Sequence, residues 1–229
     1  MNDEREQRIL DAAETLVLHY GYDKTTISDI AQVAKVAKGT VYLHWKSKED
    51  LFEALFWREI WKYTDDMLTR LQALPVEEWS FISMYEQAMF ALSGSALMQA
   101  MMRDDTRVLG NFMHKRGDKF LKMKQPMRIE LLALMQKAGA IRQDVDIEAA
   151  NHLISAMSYG MLNMHVIVQP EEAPTLENLI PTMSQMLQRW LVPEDGGNRE
   201  AARQIIMQMI AAFKTQYQGK EMDDGHSNT

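Results

Sequence analysis

Apolar positions recur along this chain at helical spacing, and no stretch alternates as a half-buried strand would. Ile9, Ala12, Ala13, Leu16, Val17 and Tyr20 share one face of a first helix expected over residues 3–20, with Gly21 placed to end it. Ile27, Ile30, Ala31 and Ala34 line a short second helix, and a third starts near Ala37. A fourth, expected over 48–73, carries Leu51, Phe52, Leu55, Trp57, Trp61 and Leu68, and Pro75 marks its end. Further helices are expected over 76–102, 104–114, 119–137 and 146–168. Pro126 should kink or divide its segment, Gly139 is a natural stop, and Asp146 is a plausible cap. Residues 169–175 and 193–197 read as loops. A helix should start close to Pro181 and run to 191, and a last one should run from a cap at Asn198 to about 217. Residues 219–229 read as a polar, frayed tail. The expectation is an all-α protein without internal repeats.

The densest signal lies in residues 25–51, TTISDIAQVAKVAKGTVYLHWKSKEDL. Thr26-Ile27-Ser28-Asp29 has the form of a capping box: hydroxyl and carboxylate can each satisfy the other residue's backbone N–H. Ser47-Lys48-Glu49-Asp50 repeats the device at the start of the fourth helix. Two short helices joined by a tight turn make a helix-turn-helix, whose second helix fits the major groove of DNA. Lys38 and Thr40 stand early on that helix, where lysine can reach guanine acceptors and threonine a polar edge or a thymine methyl. Gly39 lets the backbone approach closely. Trp45, Ile30 and Val41 read as packing residues.

The run Thr26, Ile30-Ala31, Val33-Ala34, Val36, Lys38-Gly39-Thr40-Val41-Tyr42, His44-Trp45, Lys48-Glu49, Leu51, preceded by Tyr20-Gly21-Tyr22, resembles the tetracycline-repressor (TetR) family of transcriptional regulators. The specific likeness covers roughly the first 55 residues. It implies an N-terminal helix-turn-helix domain over 1–50, a helical-bundle effector and dimerisation domain over 51–218, and a flexible tail over 219–229. It also implies that Thr26, Tyr42, His44 and Lys48 contact or flank phosphates. Lys35 stands where the family usually has glycine, and a side chain there is strained if the turn takes positive φ. Ala37 replaces the usual capping serine, a loss of about 0.5–2 kcal/mol of local helix stability.

Net charge is −7, which changes meaning once resolved along the chain. Residues 24–48 hold Lys24, Lys35, Lys38, Lys46 and Lys48 against Asp29 alone. Local sign decides where a phosphate backbone docks, and the acidic remainder disfavours non-specific DNA coating. With 46% hydrophobic residues in 229, the composition is that of a folded chain with a sizeable core. There are no cysteines, so disulfides and thiolate metal sites are excluded. The charged start MNDEREQRIL and the lack of a long apolar run argue against a signal peptide or membrane span, and a cytoplasmic location is expected.

Two further features bear on partners. Trp57 and Trp61 share a helix face, and Tyr85, Met89, Phe90 and Met101 add large adaptable side chains. Such stripes are either ordinary core or the wall of a cavity for a small hydrophobic or amphipathic effector. Asp65, Asp66, Glu86 and His114 are candidate polar contacts for it. Later, Leu153, Met157, Met161 and Met164 beside small residues, with Met183, Met186, Leu187 and Trp190, could form a four-helix homodimer seam. A dimer would let two recognition helices read a two-fold operator in double-stranded DNA. Phosphate-loop, dinucleotide, zinc-protease and serine-hydrolase motifs are all missing, and the histidines lack metal-ligand spacing, so no enzyme, cofactor or metal is expected. The expected function is a ligand-responsive regulator, a repressor released from its operator by the effector. The rivals are a DNA-bound scaffold for a protein partner, and a ligand-binding or catalytic protein that keeps the motif only as structure.

Overall fold

The computed structural model describes residues 2–113, 118–164, 168 and 174–223, and among these the only regular structure is helical. The helices are α1 (Asn2–Tyr20), α2 (Ile27–Val33), α3 (Lys38–His44), α4 (Lys48–Gln72), α5 (Phe81–Ser93), α6 (Ala96–Arg103), α7 (Thr106–Leu109), α8 (Asp118–Lys137), α9 (Ile147–Leu162), α10 (Leu176–Leu191) and α11 (Arg199–Asp223), with a 3-10 turn at Val76–Glu78.

The chain packs as two compact units, Met1–Asp65 with Ala91–Lys122, and Asp66–Phe90 with Met123–Thr229. The first is the helix-turn-helix enlarged by most of α4 and by α6 and α7. Ile9, Ala13 and Val17 of α1 are fully buried, as are Ile30, Val41, Leu51, Phe52, Leu55 and Phe56. Below them sit Leu97, Leu109 and Phe112, so a single apolar core holds the short helices that could not persist alone. In the second unit Leu132, Met135, Ile154, Ile180, Leu187, Leu191 and Ile206 are fully buried.

A charged cluster fastens α1 to α4. The Arg58 guanidinium donates to Asp11 Oδ1 and Glu14 Oε2, each at 2.7 Å, and to Glu59 Oε1 at 3.2 Å. Lys62 adds a bond to Glu59 at 2.9 Å. Arg58 and Glu59 are both buried, so each depends on the other for its charge.

Several helix limits differ from the sequence expectation, each for a local reason. The segment 76–102 is broken: Ser80 and Ser83 cap each other at the start of α5, and the Ser95 hydroxyl accepts from Met98 N–H to start α6 afresh. The helix expected over 104–114 is interrupted: α7 is bracketed by Asp104 and Gly110, both at positive φ, and helical backbone resumes at Phe112. Pro126 does not divide α8. The helix from the Asp146 cap stops at Leu162, where the Asn163 side chain donates back to the Tyr159 carbonyl. Pro181 is the sixth residue of α10 rather than part of its first turn, which removes one backbone donor. Asn198 caps the last helix as expected, but α11 continues through Gly219 to Asp223, a single glycine costing only about 1 kcal/mol. His114, most of the 169–175 loop and residues 224–229 lie outside the described residues.

Candidate nucleic-acid interface

The first turn of α2 is built as its sequence prescribes. Thr26 Oγ1 accepts from Asp29 N–H at 3.2 Å, while Asp29 Oδ2 accepts from the Thr26 N–H at 3.1 Å and from its hydroxyl at 2.7 Å. Both Thr26 donors are therefore occupied by Asp29. At the other end Lys35 takes φ 56°, and the Lys35 and Val36 N–H groups close back on the Gln32 and Ala31 carbonyls at 3.2 and 2.9 Å. This paired closure needs a left-handed residue, so the glycine position of the turn is filled by a strained lysine. Ala37 precedes α3 without a side-chain cap.

The phase of α3 is set by Val41 and Trp45, four residues apart and both buried. That phase turns Lys38, Gly39, Tyr42 and Leu43 outward and leaves Thr40 half-buried. Leu43 is 86% exposed and Tyr42 47%. A Cβ built on Gly39 would meet nothing within 4 Å, so nothing inside the chain requires glycine there. His44 is largely buried beside Trp45, its Nδ1 3.8 Å from Glu6 Oε2. Lys48 turns inward: its ammonium donates to the Tyr22 carbonyl at 2.5 Å and lies 4.0 Å from the centre of the Tyr22 ring. Of the seven candidates, Lys38, Gly39 and Tyr42 face outward on α3, Thr40 is half-buried there, and Thr26, His44 and Lys48 have polar atoms engaged within their own unit.

Residues 9–55 match the family model described as bacterial regulatory proteins, tetR family. That segment is a TetR-type DNA-binding domain. An HTH-type transcriptional regulator of Bacillus subtilis, YhgD, is 41% identical over 56 residues, 24% of this chain and 29% of that protein. The fatty acid metabolism regulator protein of the same organism is 23% identical over 64% of this chain and 76% of its own. Among solved structures, the FadR regulator of Bacillus subtilis in complex with stearoyl-CoA superposes with a TM-score of 0.60 at 21% identity, covering 79% of this chain and 96% of that one. These relatives are transcriptional regulators, and the shared fold is that of the family.

The expected effector residues fall in both units. Trp57 and Trp61, half-buried, and Met101, buried, belong to the first. Buried Tyr85 and Met89, with half-buried Phe90, belong to the second. Tyr85 shares a 2.8 Å hydrogen bond with Ser158 Oγ, and beside it Arg128 donates to Asn151 Oδ1 and Ser155 Oγ. Burial pushes the Tyr85 hydroxyl above its ordinary range, against the pull of the Ser158 bond and the Arg128 charge. Burial also raises the Glu86 carboxyl. Asp66 is paired with Arg70 at 2.9 Å, and Asp65 is exposed. The second unit has an open cleft of about 220 Å³ with Phe81, Ile82, Ile141 and Leu191 at its base and Arg199 in its lining; none of the six candidates lines it.

The expected dimer residues also divide. Met183 and Leu187 are buried in the second unit's own core. Leu153 is 50% exposed, and Met157, Met161, Met164 and Trp190 are half-buried. Met186, expected in the seam, and Tyr159, which the sequence reading passed over, are more than half exposed. Helical phase relative to buried Ile154 could have found Tyr159. Among the described residues no group of acidic or histidine side chains could hold a metal, and no helix is long and apolar enough to cross a membrane.

Proposed function

We propose that this chain is a ligand-responsive transcriptional repressor, a homodimer that reads a two-fold operator with α3 and leaves it when a hydrophobic or amphipathic small molecule binds the helical body. The observation that carries the reading is the outward set on α3: Lys38, Gly39, Tyr42 and Leu43 are solvent-facing on a short helix whose opposite face is locked by Val41 and Trp45. Lys38 supplies a donor for guanine, Leu43 an apolar surface for a thymine methyl, and Tyr42 a hydroxyl for a phosphate. A DNA-reading regulator of this kind works where the chromosome lies, in the cytoplasm, and its chemistry is binding rather than catalysis.

The effector class is supported by the apolar second unit and by relatives that govern fatty acid metabolism, one of them solved with an acyl-CoA. The Tyr85–Ser158 pair and Arg128 are the polar groups such a ligand would meet among these helices. α4 runs unbroken from Lys48, beside α3, to Gln72, so a tilt of its far end reaches the recognition helix. Effector and operator then oppose each other by roughly 1–3 kcal/mol, equally in both directions. The dimer is supported by large apolar side chains left exposed on two helices in contact, Leu153 and Tyr159 on α9 and Met186 on α10.

The experiment is a selection of genomic fragments on the purified protein, followed by fluorescence anisotropy of the winning duplex. Saturable binding that Lys38→Ala and Tyr42→Ala abolish, and that long-chain acyl compounds reverse, carries the proposal. No enriched fragment, or equal affinity with and without bound effector, defeats it. Sedimentation of Leu153→Glu/Met186→Glu, expected to be monomeric, tests the dimer.

A further inference from the structure

We infer that Lys35 is a DNA-phosphate ligand, a cation fixed in a strained turn between α2 and α3; this rests on the reading of α3 as the DNA-facing helix. Among the described residues, positive φ outside glycine occurs only at Lys35, 56°, and Asp104, 53°. Aspartate can ease that conformation by bonding the local backbone through its short polar side chain, and lysine has no such relief. Strain of this kind gathers at functional positions. The turn is held as well as strained. Its two closing backbone bonds reach the Gln32 and Ala31 carbonyls, and Ala31 and Ala34 beside it are buried, while the Lys35 side chain is exposed.

The charge on Lys35 has no counterpart inside the protein. Among the described residues its ammonium makes no hydrogen bond or ion pair, and the same holds for the exposed Lys24, Lys38 and Lys46. The nearest acid along the chain, Asp29, gives Oδ2 to both donors of Thr26. Elsewhere Arg70, Arg107 and Arg142 each hold a carboxylate, of Asp66, Asp105 and Asp144. The lysines around α2 and α3 thus form a surface neutralised from outside, by solvent ions in the free protein and by phosphates in a complex.

The position of Lys35 selects phosphate rather than base. In a helix-turn-helix the recognition helix enters the major groove by its N-terminal residues, while the preceding helix crosses the DNA backbone. Lys35 joins the two, following the end of α2 at Val33 and preceding Lys38, the first residue of α3. A long side chain leaving the protein at that junction meets the wall of the groove, which is sugar and phosphate, before its floor of base edges.

The test is fluorescence anisotropy on the selected duplex across a salt series, for wild type, Lys35→Asn and Lys35→Arg. Asparagine tolerates left-handed backbone and removes the charge, and arginine keeps the charge. Each lysine–phosphate contact contributes about 0.9 to the slope of log K against log salt, so a two-fold complex should lose about 1.8 in Lys35→Asn and nothing in Lys35→Arg. That slope, taken from 1 M down to 0.15 M salt, weakens Lys35→Asn roughly thirtyfold. The same factor should appear on duplexes altered at single base pairs, because a phosphate carries no sequence information. Lys35→Gly should have a higher urea midpoint than wild type and yet bind DNA more weakly. Those opposite signs separate a strained ligand from a residue whose role is structural. An unchanged salt slope in Lys35→Asn, with wild-type binding intact, overturns the inference, as does a loss confined to one base pair. No saturable binding of wild type to any duplex overturns the reading of α3 and this inference with it.

Discussion

Gly21 and Arg107 approach so closely that a Cβ on residue 21 would lie 2.2 Å from the Arg107 carbonyl oxygen. Gly21 also has φ 81°, so two independent constraints exclude a side chain there. The obstacle is backbone and cannot swing aside. Gly21→Ala should cost more than the ~1 kcal/mol of a left-handed alanine, about 2–4 kcal/mol in all, read from urea denaturation midpoints. A change below about 0.5 kcal/mol would show that the contact is not held in solution.

Gly39 is the opposite case, with open space around its missing side chain and ordinary helical backbone. Gly39→Ala should stabilise the free protein by about 0.5–1 kcal/mol through helix propensity. On the selected duplex the same substitution should weaken binding, since the added methyl stands between backbone and groove. Higher thermal stability together with unchanged affinity would remove Gly39 from the interface.

Lys35 holds a left-handed conformation that glycine adopts freely. Lys35→Gly is expected to raise stability by up to about 1 kcal/mol, a net gain after the added flexibility of the unfolded chain. Lys35→Ala, which keeps the strain, should show no such gain. Chemical denaturation of the three proteins side by side decides it.

Removing Arg58 takes one of the two bonded cations from the buried Glu59 carboxylate and leaves it Lys62. Arg58→Ala should therefore destabilise by about 3–5 kcal/mol, whereas Arg58→Met/Glu59→Leu, which removes both charges and keeps volume, should lose much less. Equal losses in the two variants would mean that packing, not charge, is what Arg58 supplies.

The Glu14 carboxyl is raised by burial and then by the nearby Glu59 charge, which together outweigh Lys62, Arg58 and, in the raising sense, are joined by Asp11. A raised carboxyl binds its proton more readily in the folded chain than in the unfolded one. Stability from this group is therefore greatest in acid and falls as pH rises from its ordinary value through its raised one. Glu14→Gln keeps an acceptor for Arg58 and has no such dependence. The stability difference between variant and wild type should shift in the variant's favour between about pH 4 and about pH 8, measured by urea denaturation. A constant difference would refute the shifted carboxyl.

The all-α class, the Thr26–Asp29 capping box, the Ser47 cap of α4, the buried positions of α1 other than Tyr20, which is 55% exposed, and the limits of α2, α3 and α4 were legible in the sequence, because each depends on residues within one or two helical turns of one another. Thr26 with Asp29, Ser47 with Asp50, and Val41 with Trp45 are such pairs. The helical period also foretold which face of α3 turns outward, though not that Leu43 would be its most exposed residue. What the period cannot carry is a partner distant along the chain. Lys48 reads as a basic residue at a helix start, and only folding brings the Tyr22 carbonyl to it. Arg58 reads as one of many surface cations until α1 delivers Asp11 and Glu14 against it. Met183 and Leu187 read as seam residues because their own helix cannot say whether the apolar neighbour is another part of this chain or a second copy of it. Short-range hydrogen bonding and periodicity settle elements. The choice among partners for a side chain is made by tertiary packing, where loop closure brings together residues that no local pattern connects.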